Sequence, residues 1–143
     1  MLADLPSGRL LPPMGVSVFL HLTWTTIDRR PLVGEDEARF LKRFLPAEAQ
    51  RHGAQVIALG IVSDHVHVLL RPPPHFDIPR LVQGLKGASA RVANRDGVGR
   101  AGLRWSRGYD ARSVSPQHIS AVATYVRNQV RRHPDRVPVK SRR

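Results

Sequence analysis

The sequence predicts an α+β fold of the ferredoxin-like type, in which an antiparallel sheet of four to five strands carries helices mainly on one face. Two observations predict it. Apolar residues recur at every second position in several short segments, as in half-buried strands, and at every third or fourth position in three longer segments, as in helices. The resulting order is strand, helix, strand, strand, helix, strands, helix, which is typical of such a sheet.

The first predicted strand covers residues 16–26 and follows an irregular, proline-containing arm over residues 1–13. Apolar and polar residues alternate in this strand, so one face is expected to be buried and the other polar. His21 lies on the polar face. It is expected to be a buried histidine with satisfied hydrogen bonds, and a position beside a functional site is the alternative.

A helix and a hairpin follow the first strand. The helix covers residues 35–52, where apolar residues have helical spacing and acidic residues precede basic ones. Pro46 is expected to kink or split it. Two strands cover residues 55–63 and 65–71, and only Ser63 and Asp64 separate their apolar runs, which indicates an antiparallel hairpin.

The second half of the chain contains a helix over residues 78–94, short strands over residues 103–105 and 109–114, and a last helix that opens at Ser115 and ends near residue 133. A basic tail, residues 134–143, is expected to be mobile. The predicted apolar stripe of the last helix consists of Ile119, Val122, Val126 and Val130.

The length and composition restrict the class of protein. A chain of 143 residues fits one domain, with a core over residues 14–133. The absence of cysteine excludes disulfides, thiol nucleophiles and thiolate metal sites, and it fits a reducing cytoplasm. Because no run of about 18 apolar residues occurs, the sequence predicts neither a signal peptide nor a membrane span.

The charge is strongly basic and unevenly distributed. The formal net charge is +12, of which residues 1–71 carry +1 and residues 72–143 carry +11. Only three of the 23 basic residues are lysines. Because the planar guanidinium of arginine pairs with phosphate oxygens and stacks on bases, a nucleic-acid partner is favoured, and a solvated basic surface is the alternative.

Two histidines, His65 and His67, stand two positions apart in the predicted strand over residues 65–71. Side chains at i and i+2 of a strand point to the same side, so both imidazoles share one surface. A borderline divalent cation binds imidazole nitrogens, which makes an open metal site one reading of the pair. The other reading is a solvent-facing pair, or a ring that hydrogen-bonds the backbone.

Tyr125 and Gln129 lie four residues apart in the last predicted helix and therefore share a helical face, which is offset from the apolar stripe. Tyr125 is expected to be displayed rather than buried. A phenol becomes a useful nucleophile where its target is activated, for example a phosphate polarised by a cation. The alternative is a tyrosine that packs at the sheet edge beside a solvated glutamine.

These residues carry a family resemblance. The HVH of His65 to His67, within SDHVHVLLRP, resembles the signature of the HUH endonucleases, and its setting resembles the single-tyrosine transposases of small insertion sequences that move as single-stranded DNA, which include the REP-associated relatives. The segment YVRNQ, from Tyr125, is similar to their tyrosine helix. Three further segments agree in order: HLTWTTIDRRP from His21, LVQGLKGASARVAN from Leu81 and WSRGYDARSVS from Trp105.

The resemblance implies an RRM-like HUH fold and an activity. His65, His67 and Gln129 would hold a divalent metal, Mg²⁺ or Mn²⁺, and Tyr125 would attack a DNA phosphate. The products would be a 5′-phosphotyrosine link and a free 3′ hydroxyl. Asp64 matches the residue that usually precedes the first histidine, and it would either orient the ring or cap the hairpin.

The resemblance also implies partners: single-stranded DNA with hairpin ends, and a second copy of the chain in a homodimer, with the tyrosine acting in cis or in trans. The alternatives are a noncatalytic nucleic-acid-binding protein that retains the fold and a metal hydrolase that uses water. An intact tyrosine and ligand set argue against the noncatalytic one. Candidate phosphate contacts are Arg80, Lys86, Arg91, Arg95, Arg104, Arg107 and Arg112.

Overall fold

One four-stranded antiparallel sheet organises the chain, whose structure is a computed structural model that describes residues 18–99 and 102–140. The strands are β1 (Phe19–Thr25), β2 (Gln55–Ile61), β3 (His65–Arg71) and β4 (Asp110–Val114), in the spatial order β2-β3-β1-β4. This arrangement confirms the predicted α+β class and the β2–β3 hairpin. The predicted arm over residues 1–13 lies outside the described residues.

Four α-helices accompany the sheet: α1 (Glu35–Arg51), α2 (Ile78–Arg95), α3 (Ile119–Arg127) and the short α4 (Gln129–Arg132). Short 3-10 turns stand before α1, before α3 and after α4. Pro46 lies inside α1 without splitting it, because Leu41 and Ala49, on either side of the proline, are both fully buried and hold the two halves on the sheet.

The sheet is covered on both faces. The larger core lies between α1, α2 and one face, where Leu22 and Trp24 of β1 and Val66 and Val68 of β3 are buried. The smaller core lies on the opposite face, where Val126 of α3 packs with residues of the sheet, among them Leu69 of β3. Because β3 is central and covered on both sides, its histidines are buried with it.

The predicted strand over residues 103–105 is wrong: only one backbone bridge, between Thr26 and Trp105, forms there. The amide side chain of Asn94 occupies the place of a neighbouring strand, since it accepts from Leu103 N at 2.7 Å and donates to Leu103 O at 2.8 Å. Trp105 turns inward, with its ring 5.9 Å from that of Trp24.

The predicted last helix is interrupted. It opens with a 3-10 turn over Pro116–His118 and breaks at Asn128, which separates α3 from α4. The break rotates the final turn, so that Val130, predicted to be buried, is 40% exposed and Gln129 is fully buried in its place.

The described part of the basic tail contacts the body, in contrast to the mobile tail that its composition predicts. Ser63 N donates to Arg136 O at 2.7 Å, and Glu35 N donates to Val139 O at 2.9 Å. These bonds tie the segment after α4 to the β2–β3 turn and to the start of α1. Within residues 18–99 and 102–140, none of the helices has both the length and the apolarity to cross a membrane.

Candidate active site

The two strand histidines form the base of the site. His65 and His67 of β3 point to the sheet face that carries α3, and their ring centroids lie 5.1 Å apart. Both are almost fully buried, with exposed fractions of 5% and 7%. The structure therefore agrees with the predicted common surface, and it places that surface under a helix and not in open solvent.

Each ring is oriented through its Nδ1 atom. His65 Nδ1 lies 2.8 Å from Asp64 Oδ1, to which it donates as Nδ1–H. His67 Nδ1 lies 2.9 Å from His21 Nε2 and 3.1 Å from Thr23 Oγ1. A histidine that bonds a neighbour through Nδ1 directs Nε2 toward a ligand, which is the usual arrangement of metal-binding histidines.

Gln129 supplies an oxygen to the same site. Its Nε2 donates to Tyr125 O at 3.0 Å, and its Oε1 is buried with no partner at hydrogen-bond distance among the described residues. The Gln129 side chain lies close enough to His67 to oppose the lowering of the pKa of that ring. A buried acceptor without a partner costs free energy, so a buried orphan indicates a role in the site. No three His, Asp or Glu side chains form a metal cluster in the described part of the chain. Two imidazoles and one amide oxygen nevertheless fit a divalent cation that keeps open positions.

Tyr125 stands at the entrance of the site. Its side chain is 38% exposed, and its ring centroid lies 5.7 Å from that of His67 and 6.1 Å from that of His21. The guanidinium of Arg132 covers the ring, with its carbon 4.5 Å from the centroid. Tyr125 is thus displayed, as predicted, and it contacts the histidines of its own chain.

The electrostatics keep the histidine at the centre neutral. Burial lowers the pKa of His67 to about 3, and the positive charge that His65, His21 and His133 carry when protonated adds to the effect. Burial also lowers the pKa of His21. A neutral imidazole has a free lone pair, so His67 can act as a ligand at any pH near neutrality.

Asp64 remains a carboxylate. Burial alone would raise its pKa, but the hydrogen bond from His65 and the charges of His65, Arg136 and Arg29 outweigh burial and lower it. The guanidinium Nε atoms of Arg29 and Arg136 lie 3.5 and 3.7 Å from Asp64 Oδ2. The charged Asp64 therefore orients the His65 ring and also anchors the tail segment.

The predicted phosphate contacts fall into two groups. All six arginines are exposed, and two of them pair with neighbouring carboxylates, Arg95 with Asp96 and Arg112 with Asp110. Lys86 differs, because its Nζ donates to the carbonyls of Ser106 and Gly108, each at 2.7 Å. Lys86 thus supports a loop, and its free surface is smaller than that of the arginines.

Two residues at the site were not predicted as part of it, and a third, His21, was expected beside it only as the alternative to a buried histidine with satisfied hydrogen bonds. His21 contacts His67 across the β1–β3 pair, so it lies beside the site, as that alternative has it. His133, with its ring 5.2 Å from that of His65, and Arg132 reach the site because the helix breaks at Asn128. Only His21 left a signal in the sequence, as a polar residue on the polar face of its strand.

Comparison with known proteins gives the family. The family described as "Transposase IS200 like" matches residues 16–129. The ISDra2 transposase TnpA of Deinococcus radiodurans is 33% identical over 114 residues, which cover 76% of this chain and 81% of the relative.

Two solved structures share the fold. A crystal structure assigned as a transposase from Deinococcus radiodurans R1 has a TM-score of 0.63 and 30% identity, covering 87% of this chain and 98% of the other. A REP-associated tyrosine transposase bound to a REP hairpin also has a TM-score of 0.63, with 10% identity, covering 92% and 74%. These matches confirm the resemblance found in the sequence. The chain belongs to the IS200-like transposase family.

Proposed function

We propose that this transposase cuts and rejoins single-stranded DNA by transesterification, with Tyr125 as the nucleophile and a 5′-phosphotyrosine as the intermediate. One observation carries the proposal. The exposed phenol of Tyr125, the two Nδ1-oriented histidines and the unpartnered oxygen of Gln129 meet in one place. A nucleophile beside an open ligand set is the arrangement that metal-assisted phosphoryl transfer needs.

His65 and His67, through Nε2, and Gln129, through Oε1, would hold Mg²⁺ or Mn²⁺ as the proposed ligand set. When bound there, a divalent cation polarises a phosphate oxygen and makes the phosphorus more electrophilic. The protein contributes the orientation. Asp64 and His21 fix the two rings, and the buried position of Gln129 keeps its oxygen away from competing water.

The proposed reaction exchanges one phosphodiester for another. Tyr125 Oη forms a bond to phosphorus, the bond from phosphorus to the 3′ oxygen breaks, and the phenol proton is balanced by the proton gained on the released 3′ hydroxyl. No external energy source is needed, because the phosphotyrosine retains a phosphodiester bond. Attack by a 3′ hydroxyl on that bond regenerates Tyr125 and joins two strands.

The proposed substrate is single-stranded DNA with hairpin ends. The hairpin-bound neighbour and the concentration of arginines in the second half of the chain support this substrate. The homodimer and the cytoplasmic location, both expected from the sequence, stay predictions.

The test uses single-stranded oligonucleotides that carry imperfect palindromes from the DNA beside the reading frame, incubated with Mg²⁺ or Mn²⁺. We expect a covalent protein–DNA adduct on a denaturing gel, and no adduct with Tyr125→Phe. Thr124→Val is the control, because it removes a hydroxyl from the adjacent exposed residue of α3. An adduct that survives Tyr125→Phe would overturn the assignment. Cleavage without an adduct would favour water as the nucleophile, and binding without cleavage would favour the noncatalytic alternative.

A further inference from the structure

A second concave site lies away from the histidines, between α2 and the loop that leads into β4. It has a volume of about 430 Å³, within the range of about 300 to 1,000 Å³ typical of small-molecule sites. Its lining is mainly apolar. Its lining includes Lys86 and Gly87 of α2 and residues 105–109 of the loop.

The shape of this cleft is fixed by hydrogen bonds. Lys86 Nζ, from α2, donates to Ser106 O and Gly108 O, so the helix holds the loop that faces it. Trp105 is held from below, because its Nε1 donates to Ser89 Oγ at 3.0 Å. Gly108 has a φ of 84°, a conformation that favours glycine at the turn of the loop. The cleft is therefore preformed, and a ligand would not have to order it.

The chemistry of the lining suits a base. Trp105 and Tyr109 provide aromatic surface, and Tyr109 is 40% exposed although it is a large side chain. Arg107 and Lys86 provide positive charge, and the described lining contains no carboxylate. Aromatic rings beside cationic groups are how proteins hold unstacked bases of single-stranded nucleic acid, with the rings on the bases and the charges on the backbone.

The position of the cleft connects it to the candidate active site. The loop at its wall is fixed to the end of β1, where Ser106 N donates to Thr25 O at 2.9 Å and the hydroxyls of the two residues lie 2.8 Å apart. Thr25 is paired with His65 in the sheet. The loop that forms the wall of the cleft is therefore joined to the strand that lies beside His65.

We propose that this cleft binds one unstacked base of the single-stranded DNA and so positions the strand that enters the active site. The inference rests on the proposed function for its substrate class. It adds a binding site that is separate from Tyr125 and the ligand set.

Gly87 allows a test that should not damage the fold. A Cβ at Gly87 would meet nothing within 4 Å, and Gly87 lines the cleft, so we expect a leucine there to occupy the cleft. Gly87→Leu also replaces a helical glycine with a good helix former. Gln50→Leu is the control, because it places a leucine on an exposed position of α1.

The measurement compares two labelled 15-mers in EDTA by fluorescence anisotropy, an oligo-deoxythymidylate and an abasic oligomer of the same length. Both carry the same phosphates, so their difference in Kd reports the bases. All proteins carry Tyr125→Phe to prevent cleavage. We expect the thymidylate oligomer to bind about fivefold tighter or more, and Gly87→Leu to abolish most of that preference while leaving the Kd of the abasic oligomer unchanged. Gln50→Leu should retain the preference.

Two results would overturn the inference. One is equal binding of the thymidylate and abasic oligomers, or a preference for thymidylate that Gly87→Leu leaves unchanged. The other is a change of oligomeric state in Gly87→Leu, measured by light scattering, which would make the cleft an interface between copies of the chain. Both measurements are made in EDTA and with Tyr125→Phe, so neither depends on metal or on the nucleophile. A failure of the proposed reaction can therefore be distinguished from a failure of the proposed base-binding cleft.

Discussion

At the scale of single residues, a substitution of Gln129 is the one that best separates an effect on folding from an effect on metal binding. The unpartnered Oε1 of Gln129 adds nothing to the metal-free fold, and its Nε2 makes one hydrogen bond. We expect Gln129→Met, which has a similar shape, to change the free energy of unfolding in EDTA by no more than about 1 kcal/mol. The increase in thermal midpoint on adding Mn²⁺ should be much smaller than in the wild type, because binding to the folded state raises stability.

Gln50→Met is the matched control for Gln129→Met, because it makes the same chemical change on an exposed turn of α1. It should leave both the EDTA stability and the Mn²⁺ effect unchanged. An unaltered Mn²⁺ effect in Gln129→Met would remove the glutamine from the ligand set.

The low pKa of His67 predicts a pH dependence of folding. Its pKa is about 3 in the folded chain and 6.5 in the unfolded one, so the unfolded state takes up the proton first as the pH falls. The stability that neutral His67 contributes is present above pH 6.5 and is lost progressively between 6.5 and about 3. The slope from this one proton approaches about 1.4 kcal/mol per pH unit.

Urea unfolding in EDTA between pH 7 and pH 5 measures this slope. We expect His67→Asn to lose stability less steeply with falling pH than the wild type. His75→Asn, at an exposed position, is the control and should keep the wild-type slope. Equal slopes in His67→Asn and the wild type would contradict a buried neutral imidazole.

At the scale of elements, Gly60 of β2 sets how closely α3 and α4 approach the sheet. A Cβ at Gly60 would lie 2.0 Å from Val126 O and 2.6 Å from Gln129 Cγ, so any larger residue must displace the helix. We expect Gly60→Ala to lower the free energy of unfolding by about 1–3 kcal/mol and to weaken Mn²⁺ binding, because Gln129 moves with the helix.

Gly87→Ala is the control for this prediction, since it is the same substitution on a helix with open space around it. It should raise the stability by up to about 1 kcal/mol. Urea midpoints of the two variants make the comparison, and a Gly60→Ala protein as stable as the wild type would show that α3 can shift freely.

The elements with strong periodicity were predictable, and those decided by one tertiary contact were not. Alternation in β1 and β3 and the stripe of α2 give the sheet and its larger core, because burial of one face leaves its pattern in the sequence. The interruption at Asn128 left no such pattern. It accompanies the close approach of Val126 to Gly60, a contact between residues far apart in the chain. The strand predicted at residues 103–105 failed for a similar reason, since the side chain of Asn94 takes the pairing role.

In the site, too, local features could be predicted from the sequence and tertiary contacts could not. The strand spacing of His65 and His67 and the helical spacing of Tyr125 and Gln129 are local, so each pair could be recognised within its own element. That the two pairs meet depends on which face of the sheet α3 covers, and the local spacing does not determine that face. His21 joins them because β1 lies next to β3, a pairing that places it within hydrogen-bond distance of His67.

At the scale of the whole molecule, the tail and the tyrosine helix place Tyr125 beside the histidines of the same chain, which predicts a site built from one chain. The hydrogen bond from Ser63 N to Arg136 O and the proximity of Arg136 to Asp64 fix the segment that follows α4 at the histidine end of the sheet. Tyr125 consequently faces His67 of its own chain. A dimer, if it forms, would then contain two sites that are each complete.

Mixing of two inactive variants tests this cis arrangement. Tyr125→Phe lacks the nucleophile, and His67→Ala lacks a proposed ligand, so neither should form an adduct alone. If each site is built from one chain, every site in the mixture has one of the two defects, and co-expressed proteins should give no adduct above the single variants. If the tyrosine helix is exchanged between protomers, a mixed dimer contains one site with both groups intact, and an adduct should appear at up to about half the wild-type level per dimer. Purification of the co-expressed chains through two different tags, one on each variant, isolates mixed dimers. A missing adduct in that mixed dimer supports the cis site, and a restored adduct contradicts it.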